Sequence, residues 1–285
     1  MTTVSNSPNK LIQRCIEHLR TGYQYSYGSR YPKHAATIVE IATQALTAIA
    51  TSDAAYHNLE HTVIVTLVGQ ELLQGKRICD GDVSPDDWLQ FITSLLCHDI
   101  GYIKGICRHD EAPARRFITG QGETWVTLSP HTTGASLAPY HVDRGKQFVA
   151  ETFANHDLID AERVQLNIEL TRFPVPNDEL HRDTLRYPAL ARAADLIGQL
   201  GDPGYLSKLP ALFREFEETG GNQSMGYRAP RDLRLSYPKF YWHTVYPYLK
   251  HGIRYLELSQ QGKPALLSLY DNLKAVEHEL MLATA

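Results

Sequence analysis

Phe91-Ile-Thr-Ser-Leu-Leu-Cys-His98-Asp99-Ile-Gly101 decides how this chain is read. Its first seven residues have the apolar character of a buried helix, yet they run directly into an imidazole and a carboxylate, two groups that are costly to bury alone. Two other patches pose the same problem. Tyr56-His57-Asn58-Leu-Glu-His61 sets His57 and His61 four residues apart, the spacing that shares one face of a helix. Leu190-Ala-Arg-Ala-Ala-Asp195-Leu-Ile embeds a carboxylate in an apolar helical run, where an ionised Asp needs a strong partner. If the first two patches lie on antiparallel helices joined through Asp80-Gly-Asp-Val-Ser-Pro85, His61 and His98-Asp99 fall at one level of a bundle. A divalent cation is a partner that all of these groups can share.

Outward from these patches, apolar positions recur at helical spacing over 11–19, 35–49, 57–73, 88–100, 142–153, 164–170, 185–200, 205–216 and 253–282. Strand-like alternation is nearly absent, and the breaks carry turn chemistry, as in Thr119-Gly-Gln-Gly, Phe173-Pro-Val-Pro-Asn-Asp and Thr219-Gly-Gly-Asn. The expected fold is all-α. Residues 1–200 read as the core, N-terminal helices included, and 201–285 as an additional C-terminal helical cap packed on it. The aromatic stretch from Tyr237 to Tyr248 in that cap reads as packing.

Composition narrows the function classes. Of 285 residues, 28 are Lys or Arg against 32 Asp or Glu, and the net charge of −4 gives no footprint for a nucleic-acid polymer or an anionic membrane. No run of apolar residues is long enough to span a bilayer, and Met1-Thr-Thr-Val-Ser-Asn-Ser-Pro8 lacks a basic segment followed by an apolar one, so a soluble cytoplasmic protein is expected. The four cysteines form no C-x-x-C pair, which points away from a zinc knuckle or a disulfide framework. A small substrate is expected, and a homo-oligomer is left open.

The order His61, His98-Asp99, Asp195 resembles the H…HD…D signature of the HD-domain metal-dependent phosphohydrolase superfamily. Tyr56-His57-Asn58-x-x-His61 moreover resembles the Y-H-N-x-x-H motif of its cyclic-nucleotide phosphodiesterase branch. The resemblance covers about residues 35 to 200. It implies an HD-domain-like helical bundle, a divalent metal (Mn, Fe, Mg, Ni or Zn) held by His61, His98, Asp99 and Asp195, and hydrolysis of a phosphomonoester or phosphodiester. It further implies that His57 is the general acid that protonates the leaving oxygen, with Asp99 belonging to the reacting centre as well as to the ligand set. A mixed His and carboxylate set suits this chemistry, because it leaves the ion positive enough to lower the pKa of a bound water toward ~7.

Superfamily members with two metals add histidines between the HD pair and the last Asp, and here His131, His141 and His156 lie in that interval. His141 opens an amphipathic helix and is expected as an extra ligand or a phosphate contact. His156 lies too far along the same helix to share a cluster with it, at ~1.5 Å per residue. One firm metal site is therefore expected, with room for a second. Lys104, Arg144 and Arg192 are the nearest basic candidates for substrate phosphate, and Arg192 alternatively orients Asp195 from three residues away.

Two departures leave the substrate open. His61 is followed by Thr62-Val63 where the phosphodiesterase motif continues to Asp-Val, and Tyr102 stands where the cyclic-dinucleotide group has Lys after His-Asp-x-Gly. The leading expectation is a metal-dependent phosphohydrolase of a nucleotide or other small phosphate ester. Two alternatives are a diiron oxygenase on the same fold and a non-catalytic metal or nucleotide sensor.

Overall fold

The computed structural model describes residues 7–284. The reading of residues 1–6, both as the start of the core and as lacking a leader, lies outside the described residues. Helices dominate. In chain order they are α1 (Pro8–Tyr27), α2 (Pro32–Ile49), α3 (Leu59–Asp80), α4 (Pro85–Cys97), α5 (His141–Phe153), α6 (Ala161–Glu169), α7 (Tyr187–Leu200), α8 (Tyr205–Thr219), α9 (Gly221–Met225), α10 (Pro230–Phe240), α11 (Tyr246–Leu258) and α12 (Lys263–Thr284). No described helix is long and apolar enough to cross a membrane.

Local chemistry explains where the central elements start and stop. The Asn58 side chain accepts from the Glu60 and His61 amides at 3.0 and 3.4 Å and so caps α3, satisfying donors that the first turn leaves free. Gly81, at φ +76, closes α3 in the left-handed conformation that favours glycine. Ser84 and Asp87 then form a capping box around Pro85 that starts α4. This turn yields the expected antiparallel pair, and the His61 and His98 rings meet at 5.6 Å.

Three elements differ from the sequence expectation. The cap at Asn58 leaves His57 outside α3, so His57 and His61 are not partners on one helical face, although their rings still approach to 5.4 Å. The segment 253–282 is interrupted by a turn after Leu258, with Ser259 in an extended conformation. A short hairpin also interrupts the helices: β1 (Arg116–Ile118) and β2 (Trp125–Thr127) pair antiparallel, with Phe117 opposite Val126. Three-residue strands are too short to give a period-two signal. Phe117, Leu128 and Leu137 make a small apolar cluster beneath the hairpin.

The main core is one continuous cluster running from Ile12 on α1 to Val276 on α12. Leu249, Ile253 and Leu256 of α11 are buried in it beside Leu72 and Ile197. A Cβ at Gly75 would collide with the Tyr255 carbonyl, so the α3 backbone lies directly against α11 at that point. The C-terminal helices thus bury apolar surface on the same helices, α3 and α7, that carry His61 and Asp195.

Candidate metal and acid site

His61 from the first turn of α3, His98 and Asp99 from the end of α4, and Asp195 from α7 converge in the bundle. His61 Nε2 lies 3.3 Å from Asp99 Oδ2 and 3.3 Å from Asp195 Oδ1, while His98 Nε2 lies 3.2 and 3.6 Å from the same two oxygens. His61, His98 and Asp99 are buried, and the Asp195 side chain is 19% exposed, so the cluster opens on that side. His98 Nδ1 is spent on the Leu95 carbonyl at 2.7 Å, which fixes the ring with Nε2 facing the carboxylates.

Burial disfavours a charged ring at His98, yet the Asp99 and Asp195 carboxylates outweigh it and hold its pKa well above the ordinary histidine value. Burial likewise disfavours the charged carboxylates, and the histidines outweigh it, so Asp99 and Asp195 both sit below the ordinary range. His98 Nε2 and Asp99 Oδ2 are both buried and have no hydrogen-bond partner. Among the described residues nine other buried side-chain atoms also lack one, but only these two belong to convergent groups of potential metal ligands. Divalent-ion bonds of about 2.1 Å put neighbouring donors about 3.0 Å apart in an octahedron and about 3.4 Å apart in a tetrahedron. The observed separations fit a shared cation.

His57 stands beside this cluster in the loop before α3, with a ring nitrogen within 4.8 Å of donor atoms of His61 and Asp99. Its Nδ1 is 2.5 Å from Glu215 Oε2, and Glu215 Oε1 accepts the backbone amides of Tyr56 and His57 at 2.6 and 3.1 Å. Burial opposes a charge on this ring, but Glu215, with Asp99 and Asp195, prevails and raises its pKa to about 9. Glu215 lies on α8, 158 residues from His57, and sequence reasoning missed it. The only signal was an acidic residue at a position where α8 is buried, legible once α8 is known to face the site.

The expected phosphate contacts need correction. The Arg144 side chain is 0% exposed, and it donates to the carbonyls of Gly101, Ile103 and Ile118 and to both oxygens of Asp110. With its donors committed to backbone and a buried carboxylate, it anchors the 101–118 segment and does not face substrate. Arg192 is also buried, donates to the His181 and Asp183 carbonyls, and lies 4.1 Å from the centre of the Tyr248 ring. These contacts, not Asp195, take its guanidinium. Lys104 is partly exposed but paired with Asp53 at 2.6 Å. His131 is exposed, and the His156 ring accepts from the Leu158 amide. His141 directs Nδ1 to the Ala138 carbonyl at 2.6 Å, and its ring stacks on Tyr102 at 4.6 Å.

A cavity of about 150 Å³ reaches His61 and is lined by Tyr56, Asn58, Glu60, Asp202 and Lys208. That is below the ~300–1,000 Å³ typical of a small-molecule site. Lys208 at its wall is tied to Asp202 at 2.6 Å and Glu60 at 3.0 Å.

The sequence matches the Npun_R2479-like family over residues 5–279. The chain belongs to that family. No curated protein matches it. Among solved structures, the family member described here is similar to the phosphodiesterase domain of the RhoPDE fusion protein from the choanoflagellate Salpingoeca rosetta. The similarity has a TM-score of 0.57 at 14% identity and covers 99% of this chain and 95% of that one. At that identity the likeness shows the fold alone, an all-α bundle similar to that of this phosphodiesterase domain.

Proposed function

We propose that this chain is a divalent-metal-dependent phosphohydrolase of the HD type, acting on a phosphodiester or related small phosphate ester. One observation carries the reading: the His61 and His98 ring nitrogens each lie 3.2–3.6 Å from carboxylate oxygens of both Asp99 and Asp195, and His98 Nε2 and Asp99 Oδ2 are buried without a hydrogen-bond partner. The similarity of the fold to a phosphodiesterase domain supports the same reaction class. His61, His98, Asp99 and Asp195 would hold the ion, which when bound would polarise a phosphoryl oxygen and acidify a water.

The remaining chemistry belongs to the chain. A leaving alkoxide needs a proton, and His57 is built to deliver one. Glu215 holds its Nδ1, so the transferable proton is on Nε2, and the adjacent Glu215 carboxylate favours the charged ring. The two amide contacts to Glu215 Oε1 fix the loop that carries the acid.

Metal analysis of protein purified without chelator tests the ligand set, with about one equivalent of divalent metal expected. A panel of phosphomonoesters, phosphodiesters, nucleotides and cyclic nucleotides with Mn, Mg, Fe and Ni tests the reaction. Two irons with an oxygen-dependent spectral change would instead support the oxidative alternative. Metal bound without turnover of any ester would support the sensor.

A further inference from the structure

His57, Tyr102 and His141 form a column of three rings. Tyr102 lies face to face with His57 at 4.6 Å and 7°, and with His141 on its other face at 4.6 Å and 25°. Tyr102 is 4% exposed, so the ring has little freedom to leave the stack. The column is pinned at both ends, because Glu215 takes His57 Nδ1 and the Ala138 carbonyl takes His141 Nδ1. Its middle is pinned by the backbone: a Cβ at Gly101 would collide with the His141 carbonyl, so the turn carrying Tyr102 is pressed against the start of α5.

A hydrogen bond at Nδ1 alone leaves an imidazole free to rock about that bond, and rocking swings Nε2 out of line with a leaving oxygen. A flat ring on one face removes that freedom, and misplacement by about 1 Å is enough to cost ~100-fold in rate. We propose that Tyr102 is a positioning residue for His57, and that His141, whose ring nitrogens join neither convergent group of potential ligands among the described residues, serves as the backing ring behind it and not as a metal ligand. The kinetic part of this rests on the hydrolytic reading above; the ring geometry does not.

Two readouts test it on the full chain. In chelator-treated protein, the His57 Cε1–H resonance, assigned with a His57→Gln variant, is expected upfield from stacking. It should stay there in Tyr102→Phe and move toward the free-imidazole position in Tyr102→Leu. An unchanged shift in Tyr102→Leu overturns the proposal. With manganese added, Tyr102→Leu should lower kcat on diphenyl phosphate, a poor leaving group, about tenfold more than on bis(4-nitrophenyl) phosphate, with KM little changed and Tyr102→Phe restoring the rate. Equal losses on both esters would make Tyr102 merely structural and overturn it. His141→Phe should keep its metal equivalent, and loss of metal in that variant overturns the backing role. If the parent protein cleaves neither ester, the resonance shift and the metal content still decide the proposal, and the hydrolytic reading is decided separately by the wider ester panel.

Discussion

Two buried charge clusters lie on either side of Gly101, and they are finished differently. In Arg144–Asp110 both side chains are 0% exposed, and the guanidinium meets three carbonyls and both carboxylate oxygens. Asp110 also takes the Gly105, Cys107 and Ile118 amides. In His61–His98–Asp99–Asp195 the groups are almost as buried, yet His98 Nε2 and Asp99 Oδ2 have no hydrogen-bond partner. What sets the second cluster apart is that its unpartnered atoms converge with other metal-type donors, whereas other buried unpartnered atoms, such as Tyr23 Oη and Arg192 Nε, belong to no such group among the described residues. Full use of its donors and acceptors suits the first cluster to holding the chain together, and convergence of donors suits the second to holding a cation.

Removing one member from each cluster should have opposite consequences. His98→Ala is expected to weaken divalent-metal binding by more than about 100-fold, since it deletes a ligand and not merely a ligand's outer partner, and to take ester hydrolysis to background. Full metal retention in that variant would sink the site assignment. Arg144→Met leaves the Asp110 carboxylate buried without its counter-ion, with only the backbone amides to hold it, so about 3–5 kcal/mol of folding stability should be lost. The metal content of its folded fraction should stay at the parent value. Urea unfolding and metal analysis on both variants read the comparison directly. If Arg144→Met loses metal without losing stability, the two clusters are not distinct.

The same contrast explains what was legible in the sequence. His61, His98, Asp99 and Asp195 could be read because each sits in a patterned apolar helix where its charge looks out of place, and the turn at 80–85 could be read from its capping chemistry. Arg144 and Arg192 misled. A basic residue near a motif has the same letter whether its guanidinium awaits a phosphate or is spent on carbonyls, and those carbonyls come from segments with no pattern of their own. Glu215 was missed because its partner is distant in the chain and α8 shows only ordinary amphipathic spacing. His57 was placed on a helix because four-residue spacing ignores the cap, although Asn58 was there to signal it. Tyr102 looked like a departure from a motif, and its stack between two histidines requires three loops and helix ends to be in place.

A second way to sharpen the comparison is pH. The carboxylates hold His98 protonated beyond its ordinary range in the metal-free protein, and a metal must displace that proton. Between pH 6 and 8 the metal affinity is therefore expected to rise with pH, by about tenfold per pH unit for each proton displaced. Competition against a chelator of known proton affinity measures it. A pH-independent affinity would mean that the donor set does not carry these protons.

The smallest expected effect comes from a third cluster that is satisfied but less buried. Asp143 accepts from Arg172, Lys146 and Gln121, and Glu169 accepts from Arg172 and Lys146. Burial tends to raise both carboxyl pKa values, but the Arg172 and Lys146 contacts outweigh it, so both are lowered in the folded protein. A lowered folded pKa means that the unfolded chain takes up protons first as pH falls. The stabilisation is therefore whole above the unfolded values of about 4 to 4.5 and drains away below them, as the folded carboxyls in turn protonate. With side chains 11% and 16% exposed, the pair should contribute about 1–2 kcal/mol. The loss of stability between pH 6 and pH 3, from urea unfolding, should shrink by that amount in an Asp143→Asn, Glu169→Gln double variant. An identical loss in parent and variant would show that these contacts, unlike those of Arg144, contribute nothing to the acid response.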